Sequence, residues 1–390
     1  MPTDIKSLSH DELEARFAAW REPIYRVTQL LEWLYSRRVT SWDAMTNLPR
    51  ALRERLAQTF SLQTLELIRK QGAPVLRSHT AEGGRDTTQK FLWRLRDHSL
   101  VESVLIPANP ALYGDISDRH TLCISTQVGC AYGCKFCASG LDGWKRNLTL
   151  DEIVEQVLAV ERWNASQSKV ESRESKEIGA GSRPSTLDQR LIDNVVVMGM
   201  GEPLANYDHL LKALRILNAP WGGGIGARKI TISTSGLAPQ IRRLGAEPEQ
   251  FRLAISLHGA TDEVRGKIMP VNRRYPLKDL IAACADYQGQ KGRMLTFEFI
   301  LIAGVNDSLE QARLLAALAK RLFAKVNLIP YNKVEGLPWE RPAEKVCEAF
   351  LAVLEKQKVP ATLRREKGHD IDAACGQLRL KTERELEKQL

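Results

Sequence analysis

Three cysteines, Cys130, Cys134 and Cys137, fall within the eight-residue stretch CAYGCKFC of a 390-residue chain that carries seven cysteines in all. Thiolates in close sequence bind zinc or iron–sulfur clusters, and closed zinc sites usually take four protein ligands from paired C-x-x-C knuckles. The spacing here is C-x-x-x-C-x-x-C, and Gly129, Gly133 and Gly140 mark it as a loop that can wrap a compact inorganic cube. Three thiolates on a [4Fe–4S] cluster leave one iron open to a small molecule. Zinc, or three cysteines packed as hydrophobes, are the competing readings. Two other cysteines stand alone. Cys123 lies in the apolar run TLCIST, where a core role is the ordinary fate, and Cys375 follows the charged, glycine-containing stretch REKGHDIDAACG, where a surface thiol is the plain alternative. Cys284 and Cys347 sit in amphipathic helical patterns and are assigned to packing.

The elements that must position these residues alternate. TLCIST, NVVVMG, KITIST, RLAISL, LTFEFILI, KVNLIP and PATLRR read as strands, most of them followed by helical patterns. After the first comes TLDEIVEQVLAVERW, with Thr149 and Glu152 placed as a capping box. Alternating strands and helices imply a parallel sheet, so the fold class is α/β, a partial or complete (β/α) barrel. In such barrels chemistry collects where strands end. Here the ends carry GMGEP with Gly201 and Glu202, STSG with Ser233, SLHG with Ser256, Leu257 and His258, and PYN with Asn332. Residues 1–60 show helical periodicity broken near Pro23 and Pro49, a small helical unit. Residues 61–115 hold short strand patterns such as KFLWRL and LVESVLIP, an antiparallel connector in which Glu102 alone reads as a solvated strand face. The core spans 116–380, interrupted at 165–190 by a Ser-, Glu-, Lys- and Gly-rich stretch expected to be a disordered surface insertion, and a short tail, 381–390, follows.

Bulk properties narrow the partners. No apolar run approaches the roughly 18 residues a bilayer span needs, and the odd cysteine count argues against a disulfide scaffold; a cytoplasmic protein is expected. The net charge of +9 suits a polyanion such as nucleic acid, with basic groups at 69–71, 144–147, 272–274, 319–321 and 363–367. Any one of these groups could instead be a solubilising face.

The cysteine motif, with Phe136 as its aromatic member, resembles that of the radical S-adenosylmethionine (SAM) superfamily. LCISTQVGCAYGCKFCASG, WKRNLT, VVVMGMGEPLANYD, GIGARKITISTSG, LAISLHGATDEVR, IMPVNRRY, NLIPYN and GHDIDAACGQL together look like the RlmN/Cfr family of RNA adenosine methyltransferases, over about residues 85–380. The resemblance implies a [4Fe–4S] cluster on Cys130, Cys134 and Cys137, with SAM chelating the open iron and split there to a 5′-deoxyadenosyl radical. It implies SAM contacts at Gly201, Glu202, Ser233, Ser256, Leu257, His258 and Asn332. It further implies that Cys375 takes a methyl group from one SAM and delivers it through a transient protein–RNA adduct, that Cys123 resolves this adduct by a disulfide with Cys375, and that Glu102 transfers a proton. Radical addition suits the target, because an adenine carbon between two ring nitrogens is not a nucleophile. The expected product is 2-methyladenosine in 23S rRNA at the peptidyl-transferase centre and in tRNA 3′ of the anticodon. A low-potential donor such as flavodoxin or ferredoxin would supply electrons to a monomer. Methylation at carbon 8, the Cfr activity, is the nearest rival; a non-catalytic iron–sulfur RNA-binding or ribosome-assembly protein is the rival of another class.

Overall fold

The computed structural model describes residues 2–72, 88–108, 119–177, 190–364 and 376–387, with the side chains of 168–177 and 387 excepted. Its first elements are α1 (His10–Ala19), α2 (Tyr25–Leu31) and α3 (Arg50–Thr59). A capping box at Ser9 and Glu12 starts α1, and Pro49 ends its preceding turn at the first residue before α3. The helices bury Leu13, Phe17, Leu30, Leu52 and Leu56, so the expected helical periodicity is realised.

Ten strands form one continuous sheet in the order β1-β2-β3-β4-β7-β8-β9-β10-β11-β12. The first three, β1 (Glu66–Gln71), β2 (Gln89–Arg94) and β3 (Leu100–Pro107), are antiparallel, and β3 joins antiparallel to β4 (His120–Cys123). The connector strands thus extend the main sheet. From β4 onward all pairings are parallel, through β7 (Ile192–Val197), β8 (Ile230–Thr234), β9 (Arg252–Ser256), β10 (Thr296–Leu301), β11 (Lys325–Pro330) and β12 (Ala361–Leu363). Strands β5 (Gln127–Gly129) and β6 (Trp144–Asn147) make a separate hairpin around the cysteine loop. No pairing joins β12 to β1 among the described residues, so the barrel is open.

Crossover helices cover the outer face: α4 (Leu150–Glu177), α5 (Tyr207–Asn218), α6 (Ala238–Ala246), α7 (Asp262–Ile268), α8 (Leu277–Lys291), α9 (Leu309–Arg321) and α10 (Glu344–Lys356), followed by α11 (Gln377–Glu387). Cys284 on α8 and Cys347 on α10 are fully buried there. Phe297, Phe299 and Leu301 of β10 face outward, Phe299 packing on Phe350 of α10. The alternate residues face inward, and many of them are polar: Thr121, Asn194, Thr231, Ser233, Ser256, Glu298 and Asn327. A barrel filled by branched apolar layers is a packed core, whereas this one keeps a polar, half-accessible lumen.

The expected disorder from 165 is corrected. Helix α4 runs on to Glu177, because SQSKVESRESKE is made of residues that hold a helix without needing a buried face; positions 178–189 lie outside the described residues. The first three turns of α4 are buried on all sides. Gln156 grips Ser125 at both its N–H (2.8 Å) and carbonyl (2.9 Å). On its other side Ser7 donates to Asp151 (2.9 Å), and Lys6 lies 3.5 Å from Glu155 and 3.2 Å from Asp4. One core therefore runs through the N-terminal unit and the barrel.

Candidate functional site

The cysteine loop leaves β5 and returns as β6, fastened by the Cys130 N–H to Gly143 carbonyl bond (3.0 Å). Lys135 pins its middle: its N–H donates to Ile268 at the end of α7 (2.9 Å), and its carbonyl accepts from the Trp339 indole (2.7 Å). The ring of Phe136, the aromatic of the motif, meets His258 edge-on at 5.0 Å between centroids, joining the loop to the end of β9. Among the described residues the three sulfurs do not form a set lying within 4.8 Å of one another. Burial, with Cys137 and Glu202 nearby, pushes the Cys130 thiol up to about 12 and holds Cys134 well above its usual value. Thiols buried in this way favour ionisation when a bound cation offsets the charge.

Opposite Cys134 stands Arg265, which the sequence reading missed. It is fully buried and donates to the carbonyls of Leu257 (3.1 Å) and Ser235 (2.5 Å) and to Asn272 Oδ1 (2.8 Å). No carboxylate comes within ion-pair distance among the described residues, and its charge acts on Cys134. A buried guanidinium held by neutral oxygens alone suits an anionic guest, which fits a thiolate-bound cluster.

The strand ends gather the remaining predicted positions. Gly201 has φ +98°, and a Cβ there would come 2.5 Å from the Gln127 side chain. Glu202, 3% exposed, accepts from Thr234 Oγ1 (2.7 Å), Ser235 N–H (2.7 Å) and Leu204 N–H (3.0 Å), tying the end of β7 to the end of β8. Burial raises its carboxyl above the ordinary range, opposed by these bonds. Ser233 and Ser256 meet at 3.4 Å between hydroxyls on β8 and β9. Leu257 is buried and bonded to Glu298 carbonyl (3.0 Å). His258 holds φ 55° and accepts the Ile300 N–H at Nδ1 (3.0 Å), which leaves the proton on Nε2. Burial, helped by Arg265, pulls its pKa down to about 3, so the ring is neutral. Asn332 Oδ1, at the end of β11, is buried without a hydrogen-bond partner, as are Ser235 Oγ and Thr126 Oγ1. Orphan acceptors and hydroxyls of this kind suit a ligand with an adenine and a ribose. A further lumen group, Glu298 Oε2, is likewise unpartnered; its only sequence signal was its alternation with Phe297 and Phe299.

Cys123 pairs with Val104 on β3 and Val196 on β7 and faces the lumen. Glu102, two positions from Val104 and on the same face, is 2% exposed, which overturns a solvated setting. It lies 3.3 Å from Lys90 and accepts N–H bonds from Gly376 (2.8 Å) and Arg379 (2.7 Å). Cys375 itself lies outside the described residues. No disulfide joins the six described cysteines to one another, and the expected Cys123–Cys375 pairing falls on a residue outside the described ones. Basic groups expected to face RNA are partly spent internally: Arg69 pairs with Glu385 (2.7 Å), and Arg146 with Asp97 and Glu152 (2.7 Å each).

Comparison with known proteins agrees with this geometry. Residues 186–316 match the radical SAM superfamily model. A crystal structure of a radical SAM methyltransferase from Sphaerobacter thermophilus superposes with a TM-score of 0.80 at 42% identity, over 96% of this chain and 99% of that one. The fold is that of a radical SAM methyltransferase, whose cofactors are a [4Fe–4S] cluster and SAM. Residues 3–62 match the ribosomal RNA large subunit methyltransferase N-terminal domain. A probable dual-specificity RNA methyltransferase RlmN of Opitutus terrae is 54% identical over 96% of this chain and 94% of its own length; one of Akkermansia muciniphila is 51% identical over 93% and 91%. The chain belongs to the RlmN family.

Proposed function

We propose that the protein methylates carbon 2 of adenosine in 23S rRNA, at the peptidyl-transferase centre, and in tRNA just 3′ of the anticodon. The relatives' description as dual-specificity RNA methyltransferases supports two RNA substrates. When bound, the cluster and SAM supply one-electron chemistry and the methyl group. In this reading Cys130, Cys134 and Cys137 hold the cluster, fed by a low-potential flavodoxin or ferredoxin. Gly201, Glu202, Ser233, Ser256, Leu257, His258 and Asn332 hold SAM. Asn332 Oδ1 offers an acceptor to the adenine amine, and the His258 Nε2–H a donor. Cys375 would give up its thiol proton and accept the methyl group that SAM supplies when bound. Cys123 later frees the methylated RNA by pairing with Cys375, and an external reductant restores both thiols.

The observation that carries this reading is the convergence on one lumen of the three-cysteine loop, Cys123, and Gly376, the chain neighbour of Cys375. The test is mass spectrometry of digested rRNA and tRNA from a deletion strain complemented with wild type, Cys375→Ala or Cys123→Ala. The expected result is loss of 2-methyladenosine on deletion, restoration by wild type alone, and RNA-linked protein accumulating with Cys123→Ala. Retention of 2-methyladenosine with loss of the 8-isomer would assign the carbon-8 activity instead.

A further inference from the structure

Glu102 comes from β3, yet its two carboxylate oxygens are taken up by a helix 274 and 277 positions further along the chain. Oε2 accepts the Gly376 N–H at 2.8 Å and Oε1 the Arg379 N–H at 2.7 Å. These are donors from the first turn of α11, which no intrahelical carbonyl can satisfy. A carboxylate there is favoured twice, by charge-assisted bonds and by the helix dipole. Lys90, buried beside Oε2 at 3.3 Å, gives the carboxylate a neighbouring counter-charge inside the protein.

Two further contacts act on the same turn. Gly376 sits at φ +85°, and a Cβ there would come 2.7–3.0 Å from Ser139, in the 3-10 turn that follows Cys137. Arg379 is fully buried and lies 3.0 Å from Asp142, also beyond the cluster loop. The start of α11 is therefore docked on the cluster loop from one side and on Glu102 from the other. Adjacent Cα atoms across a trans peptide are about 3.8 Å apart, so whatever fixes Gly376 limits where Cys375 can reach.

We propose that Glu102 is a positioning residue: its carboxylate latches the first turn of α11 against the cluster loop and so presents Cys375 to SAM before any RNA is bound. This rests on the role assigned to Cys375 above. It differs from a role in proton transfer to or from RNA, because a latch matters for the first methyl transfer, in which no adenine takes part.

The experiment compares wild type, Glu102→Gln and Gly376→Ala, all full-length and cluster-loaded. Peptide mass spectrometry reads the fraction of Cys375 carrying a methyl group after incubation with SAM, and hydrogen exchange reads the amides of 376–380. The carboxamide of Glu102→Gln keeps one acceptor and turns a donor toward the other N–H. Gly376→Ala breaks the same docking while leaving the carboxylate intact, and so covers a fold failure at position 102. The expected result for both variants is exchange at 376–380 at least tenfold faster and Cys375 methylation at least fivefold slower, with iron content unchanged. Glu102→Gln with wild-type exchange, or with wild-type Cys375 methylation and only RNA methylation lost, overturns the latch. Absence of S-methylation in wild type would sink the role of Cys375, while the exchange data would still judge the docking by Glu102.

Discussion

Arg265 and His258 are adjacent answers to one problem, how to line a buried site beside the three-cysteine loop. Arg265 keeps its charge, bonded only to neutral oxygens of Leu257, Ser235, Asn272 and Tyr275, beside Cys134. His258 gives its charge up, chiefly because burial disfavours it and further because Arg265 stands beside it. In the unfolded chain a histidine takes up a proton near pH 6.5, whereas the folded ring does so only near 3. Below about 6.5 the unfolded state thus binds more protons, and the group lowers stability progressively as pH falls through that window; above it the effect is absent. Nitrogen-15 NMR of histidine-labelled protein, with the resonance assigned by its loss in His258→Asn, is expected to show a neutral Nε2–H ring throughout pH 6–8. A titration midpoint within that range would contradict the buried, Ile300-bonded tautomer.

At the scale of elements, the lumen face of β7 to β11 carries Asn194, Thr231, Ser233, Ser256, Glu298 and Asn327, while the outer face is mostly apolar, so polar groups collect toward the strand ends. Gly201 shows how tight the arrangement is. Alanine there has to adopt a left-handed conformation, costing roughly 1–2 kcal/mol, and places its Cβ 2.5 Å from Gln127. Gln127 also receives the Glu202 N–H (2.8 Å), so Gly201→Ala displaces the carboxylate that ties β7 to β8. Calorimetry on cluster-loaded protein is expected to show SAM affinity at least tenfold weaker with iron content preserved. Unchanged affinity would remove Gly201 and Glu202 from the SAM site. All seven parallel strands were legible from their alternation and β-branched content, as in NVVVMG and KITIST. Arg265 was not, because an arginine in a helix reads as solvent-facing until the fold surrounds it. Glu102 was misread for the same reason: its partners arrive from α11, and neither sequence spacing nor periodicity connects positions that distant.

Over the whole molecule, the net charge of +9 supports an RNA substrate, but its fine distribution was poorly legible. Lys145 lies 3.7 Å from Glu383, and Arg146 and Arg69 are likewise committed to carboxylates, so only part of the basic inventory remains for phosphates. The N-terminal helices share one core with the barrel, joined at α4 through the buried Lys6, Asp4 and Glu155 group. That junction was invisible in a sequence whose N-terminal charges nearly balance. No helix among the described residues is long and apolar enough to cross a membrane.

The central claim is that a cluster held by three thiolates offers its remaining iron to SAM. Electron paramagnetic resonance of the anaerobically reconstituted, reduced protein, with and without SAM, tests it most directly. Expected are four irons per chain, a reduced-cluster signal that changes on adding SAM, and loss of signal and RNA methylation together when Cys130, Cys134 or Cys137 is replaced by alanine. A signal indifferent to SAM, or RNA methylation that persists in a cluster-free cysteine variant, would contradict it.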